Sequence, residues 1–246
     1  MRERALGLRK LARVVLPLAV IGFVVSLFLR YRLPDKSLAL ESLFQDPVQS
    51  TGDVPEPFEV SRKNVTYTVT PLASYELWGL IVSYHHSASF IDISHRQWND
   101  FLNTKDICVI WGPNIQTGVY KRMRFSNRDF TCYYRYPDRE TGELFTESAL
   151  SNNHLLPADP LVAATVLKAR TGDQVHFKGW LVSYGIKGAP YARRSSLTRN
   201  DRGNGACEVV YVTEFEILRE ANTAWRMLGK ICPVLAILAL GVLVFV

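Results

Sequence analysis

The most unusual stretch of the chain runs from Arg193 to Glu208. Arg193, Arg194, Arg199 and Arg202 bring guanidinium groups, and Ser195, Ser196 and Thr198 bring hydroxyls. Asp201 adds an acid, Cys207 a thiol, and Gly203 and Gly205 lie among them. Arginines make bidentate contacts to anionic groups, while glycines let backbone N–H groups approach a ligand closely. The loop is therefore a candidate for binding an anion or a partner. The same residues also suit a long solvated β-loop with turn glycines at its Asn-Gly junction.

A second polar cluster, Ser151-Asn152-Asn153-His154, sits beside Leu155-Leu156-Pro157. His154 with Ser195 or Ser196 and an acid such as Asp201 would make a nucleophile, a base and an orienting group. Neither GxSxG nor SxxK surrounds those serines. The competing reading has the Asn side chains satisfying a buried turn before a helix that opens at Asp159. The expected binding set is Asn153, His154, Arg193, Arg194, Ser196, Arg199 and Asp201, with no catalytic residue assigned and no cofactor expected.

His85, His86 and His95 could converge on a metal, but the chain has no CxxC, HExxH or His-x-His pair. Adjacent strand residues also point to opposite faces. No metal site is expected. Cys108 and Cys132 lie mid-strand in the reading below. They would form a disulfide if those strands are neighbours outside the cytoplasm, and otherwise serve as buried thiols. Cys207 is then left over, and Cys232 falls in an apolar run.

Strands must position these groups. Val65–Thr70 alternates and is rich in β-branched residues, and Leu77–Tyr84 is a more continuously apolar strand. Lys105–Trp111, Phe130–Tyr136, Gln174–Tyr184 and Glu208–Leu218 complete six strands. A capping-box spacing at Ser94–Gln97 opens a helix to Leu102 that should bury Trp98, Phe101 and Leu102. Asp159-Pro160 opens a second helix with Leu161, Val162, Val166 and Leu167 as its apolar stripe, and Gly172 closes it. Strands with two short helices predict an α+β domain over residues 59–220, and an OB-like barrel would protect its strand edges. Val82, Val109, Val175, Leu181, Val210 and Val212 should form its core. Residues 30–58, with Pro34, Pro47, Pro55 and Pro57, read as a linker.

Mean hydropathy of +0.01 conceals two apolar runs, Val14–Leu29 and Ile231–Val246. Both are expected to be transmembrane helices, over 14–29 and 226–246, lying side by side or on the same membrane level because one domain tethers both. The net charge of +6 could suggest nucleic acid. However, residues 1–13 carry Arg2, Arg4, Arg9, Lys10 and Arg13 against Glu3, leaving 24 basic against 22 acidic residues elsewhere. The basic excess is a membrane-proximal tail, which favours a cytoplasmic N-terminus and no nucleic-acid partner. No small-x-small cleavage site follows Leu29, so an uncleaved signal anchor is expected. The central domain would then be extracytoplasmic, periplasmic in a bacterium.

The expected role is a membrane-anchored binding or assembly module without catalytic activity, its partners the lipid bilayer and another membrane or envelope protein. The alternative is a membrane-bound hydrolase using His154 with the Ser195–Cys207 loop. Hydrogen-bond reach between His154 and that loop, within one pocket, separates the two.

Overall fold

The computed structural model describes residues 2–87, 89, 92–128, 130–201 and 206–246. In chain order the elements are helix α1 (Arg2–Leu29) and strands β1 (Val48–Ser50), β2 (Phe58–Arg62) and β3 (Val65–His85). Next come α2 (Ser94–Gln97), β4 (Lys105–Ile110), α3 (Pro113–Thr117), β5 (Arg124–Arg128) and β6 (Thr131–Arg135). They are followed by α4 (Arg139–Leu144), β7 (Leu150–Pro157), α5 (Pro160–Lys168), β8 (Gln174–Ile186), β9 (Arg193–Arg194), β10 (Glu208–Arg219) and α6 (Thr223–Phe245). The two terminal helices form one compact unit, and Leu33–Glu220 forms the other.

Helices α1 and α6 are each long and apolar enough to cross a membrane. They pack against each other through small residues. Ala12, Ala19 and Ser26 recur every seventh position on α1 and are buried, as are Cys232 and Ala239 on α6. A Cβ on Gly22 would meet Cys232 Sγ at 2.9 Å, and one on Gly229 would meet Ser26 Oγ at 3.0 Å. Those pairs run in opposite directions, so the helices are antiparallel. The seam is a heptad of small residues and needs no GxxxG.

The second unit is α+β, with a large mixed sheet. Hydrogen bonding runs β3–β4–β7–β10–β8 and returns to β3, closing a ring. Within it β7 and β10 are parallel and the other pairs are antiparallel. β1 and β2 add to β3, and β9 adds to β8. The two strands expected at 65–70 and 77–84 are one continuous strand. A register shift between Pro71 and Ala73 absorbs the proline, which has no N–H to give the ladder. β3 pairs with β8 as far as Leu80, then with β4 from Leu80 to His85, and so passes from one partner to the other.

All six expected core residues are buried. Chain from 33 to 58 joins this core. Two short 3-10 turns, Lys36–Leu38 and Glu41–Phe44, place Leu43 at full burial, and β1 pairs with β3.

The helical expectations are corrected in detail. α2 stops at Gln97, and its N-cap residue is Ile93, which supplies no side-chain cap. The N-terminal donor is met by Asp92 Oδ1, which accepts from His95 N at 2.9 Å. Trp98 is therefore exposed, while Leu102 is buried. In α5, Asp159 caps Leu161 N and Val162 N as the sequence suggests. Its buried face is Val162, Val166 and Ala169, whereas Leu161 and Leu167 are exposed. Lys105 ends this helix from below: it is fully buried, and Nζ donates to the carbonyls of Val166, Leu167 and Ala169. A cation there meets the negative end of the helix dipole.

Gly179 marks the closest approach of β8 to β10. An added Cβ would lie 2.0 Å from the Tyr211 carbonyl oxygen, a backbone atom that cannot step aside. Gly179→Ala is expected to lose about 3 kcal/mol of stability through this overpacking, read as a lower urea midpoint.

Candidate active site

Three adjacent strands bring three reactive groups into a row. Asp106 on β4 and His154 on β7 are direct register partners. On the other side of β7, β10 begins at Glu208, paired with Asn153, so Cys207 enters the sheet beside Asn152. Alternation places Asp106 and Cys108 on one face of β4, and Asn152 and His154 on the same face of β7. The opposite face carries Ile107, Val109 and Leu155 into the core.

His154 Nδ1 lies 2.7 Å from Asp106 Oδ1, with the imidazole 2% exposed and the carboxylate fully buried. The Cys207 thiol lines the same cavity as His154 and is coupled to the imidazole electrostatically. Cys207 is half-buried and opens onto this cavity of about 1260 Å³, whose walls include Trp98, Phe130, Tyr191 and Arg193. A thiol, an imidazole and a carboxylate stand in the order of a nucleophile, base and orienting group.

The electrostatics follow from the same contacts. Burial alone would raise the Asp106 carboxyl, but the charge and hydrogen bond of His154, with a hydrogen bond from Asn103, hold it down at about 2. Burial opposes a charged His154, yet Asp106 and then Cys207 raise it to about 9. Burial would likewise raise the Cys207 thiol, but hydrogen bonding and charge from His154, joined by Asn152, bring it below its ordinary value. These shifts favour a thiolate–imidazolium pair.

Asn152 completes the site. Its Nδ2 points to Cys207 Sγ at 3.6 Å and donates to the Phe130 carbonyl at 3.1 Å. Its Oδ1 accepts from Asn127 Nδ2 at 2.8 Å, and Asn127 Oδ1 accepts from Ser83 Oγ. That chain fixes which end of the amide faces the sulfur.

The hairpin β5–β6 supplies Asn127 and Phe130. It is a separate two-stranded sheet, so the strand expected at 130–136 lies outside the ring. Cys132 on the hairpin is disulfide-bonded to Cys108 on β4. The bond joins two sheets rather than two neighbouring strands. Phe130 has φ +62°, a left-handed conformation rare for a bulky residue. Its carbonyl also faces Cys207 Sγ at 3.6 Å.

A buried network continues behind Asp106. Asn103 Nδ2 donates to Asp106 Oδ1 at 2.7 Å and to His95 Nε2 at 3.1 Å. His95 therefore carries its proton on Nδ1, which donates to Asp92 Oδ2 at 2.8 Å, and His85 Nε2 meets the same oxygen at 2.6 Å. Donor atoms of His85, Asp92 and His95 lie within 4.8 Å of one another, near enough to share a small cation. In the structure they bond to each other, and the group serves as the outer support of Asp106.

Of the residues singled out in the sequence, His154, Arg193, Arg194, Arg199 and Asp201 line the cavity. Asn153 faces inward and donates to Ser151 Oγ at 2.7 Å. Ser151–Pro157 is a strand rather than a turn before α5. Ser195 Oγ is held between Val209 N and Ser196 O, and Ser196 Oγ donates to Asp201, so neither serine meets His154. Arg199 is paired with Glu208. Arg202, Gly203 and Gly205 lie outside the described residues. Sequence reasoning missed Asp106 and the pairing of Cys207, and it left Asn152, named in the polar cluster, out of the expected binding set. The available signal was Asp106 and His154 each standing next to apolar residues in a β-rich run.

No family model, curated protein or solved structure matches the chain.

Proposed function

We propose that the protein is a membrane-tethered cysteine hydrolase of acyl compounds, with Cys207 as nucleophile, His154 as base and acid, and Asp106 as the orienting carboxylate. The hydrogen bond of His154 to Asp106, and the placement of His154 and Cys207 on one cavity where each shifts the other's ionisation, carry this reading. It takes precedence over a purely binding or assembly role, which rests on the lack of a linear catalytic motif. A triad is a spatial motif and needs no fixed spacing.

The chemistry follows from the geometry. The Cys207 thiolate attacks a carbonyl carbon, and the C–S bond forms as negative charge collects on the oxygen. Asn152 Nδ2, 3.6 Å from the sulfur, is placed to donate to that charge. His154 gives its proton to the departing amine, alcohol or thiol, leaving an acyl-thioester. Water then attacks that ester, passes a proton to His154, and releases the carboxylic acid with the thiol restored.

The remaining placement is part of the same proposal. The ring of strands is taken as a small OB-like barrel, and α1 as an uncleaved signal anchor. Two membrane passes leave residues 59–220 outside the cytoplasm, periplasmic in a bacterium, where another envelope protein would meet the site. The Cys108–Cys132 bond supports an oxidising compartment.

The test uses the full chain in detergent with p-nitrophenyl acetate. A stoichiometric burst of nitrophenol with an acetyl group on Cys207 is expected. Cys207→Ala should abolish the burst, while Ser195→Ala and Ser196→Ala should keep it. A burst that survives Cys207→Ala removes the proposal.

A further inference from the structure

We infer that the substrate carries a carboxylate a few atoms from its reacting carbonyl, and that Arg193 binds it. The inference rests on Cys207 as the nucleophile and adds the chemical class of what it attacks.

Arg193 is on β9, held opposite Tyr184 of β8. Its guanidinium stands 3.9 Å above the Phe130 ring. Nη1 is buried without a hydrogen-bond partner among the described residues. A desolvated cationic donor without an acceptor is unfavourable, and an arriving anion removes that deficit. The cavity's own acids, among the described residues, do not fill the role. Glu208 is paired with Arg199, Asp201 accepts from Ser196, and Glu147 accepts from Tyr134 at 2.6 Å.

Phe130 sets the spacing. Arg193 stacks on its ring, while its carbonyl lies 3.6 Å from Cys207 Sγ. The cation and the nucleophile are thus separated by a single residue, which matches an acyl compound bearing a carboxylate close to its carbonyl. A carboxylate fits better than a phosphate dianion because one guanidinium is unengaged at depth: Arg199 is spent on Glu208, and Arg194 is exposed. Trp98 and Tyr191, with ring centroids 6.0 Å apart, give the apolar remainder of the substrate a wall.

Two alkylating agents with the same leaving group test this on the intact chain. Iodoacetate carries a carboxylate and iodoacetamide is its neutral match. In each, Cys207 sulfur displaces iodide. The iodoacetate-to-iodoacetamide rate ratio at Cys207 should fall about tenfold in Arg193→Met. The iodoacetamide rate should stay within about twofold, which shows that the site is intact. An unchanged ratio in that variant overturns the inference. Arg193→Lys keeps the charge without the fork and should fall between the two; a ratio as low as that of Arg193→Met would mean that charge is not what the site supplies, and would also overturn it. If Cys207 reacts with iodoacetamide no faster than an ordinary thiol, the nucleophile reading fails, and the ratio still reports on Arg193.

Discussion

Replacing His154 with alanine is expected to slow iodoacetamide alkylation of Cys207 at pH 6.5 by at least a hundredfold. A thiol of ordinary pKa is only about 1% thiolate at that pH. In the wild type the imidazolium of His154 holds the thiol below its ordinary value against the opposing effect of burial. Removing the ring leaves only the Asn152 hydrogen bond against burial. Hydrolysis should fall further, by about 1000-fold, because the proton donor to the leaving group is lost as well. The wild-type pH profile should be bell-shaped. Its acid limb reports formation of the thiolate, and its alkaline limb lies near 9, where His154 gives up its proton. The same titration acts on stability. His154 is raised in the folded state, so its contribution is complete below about 6.5 and is lost as pH climbs through about 9. Asp106 is depressed, so its contribution is complete above the ordinary carboxylate range and is lost as pH falls toward about 2. Equal alkylation of wild type and His154→Ala across this range would show that the ring does not activate the thiol.

Removing the disulfide by Cys108→Ala with Cys132→Ala should destabilise the Leu33–Glu220 unit by about 3 kcal/mol, through the closed loop it forms. For a unit of this size the melting temperature should drop by about 6–12 °C. The larger consequence is chemical. The bond fastens the hairpin β5–β6 to β4, and that hairpin carries Asn127, which orients Asn152, and Phe130, whose carbonyl faces Cys207. The variant should therefore lose the selective reactivity of Cys207 at temperatures where the sheet remains folded by circular dichroism. Full Cys207 reactivity in a folded double variant would show that the hairpin stands without its staple.

Much of the scaffold was legible because it follows periodicity. Apolar runs became α1 and α6, and β8 and β10 emerged where β-branched residues follow turn signals. Asp159-Pro160 opened a helix because cap chemistry is local. The site was less legible for a physical reason. Leu150–Pro157 is buried along nearly its whole length yet reads LSNNHLLP, since Asn152 and His154 find partners on segments distant in sequence. Asp106 lies within the strand expected at 105–111, and its role comes only from its register partner, His154. Cys207 counted as a leftover thiol because its neighbours come from β7 and the hairpin tip. Trp98 went wrong for the opposite reason: a helical pattern was extended past Gln97, where the chain turns to let Asn103 reach Asp106.

The pairing of α1 with α6 has a consequence for release. Chain leaves the first helix at Leu29 and re-enters the second at Thr223, so the folded unit is a loop closed through the helix pair. In a bilayer, one proteolytic nick between those points would leave both fragments attached, one to each helix. Releasing the Leu33–Glu220 unit into solution would require two scissions, one on each stem. With both helices in a bilayer, a protease that cuts once between them would cleave the chain without freeing the unit.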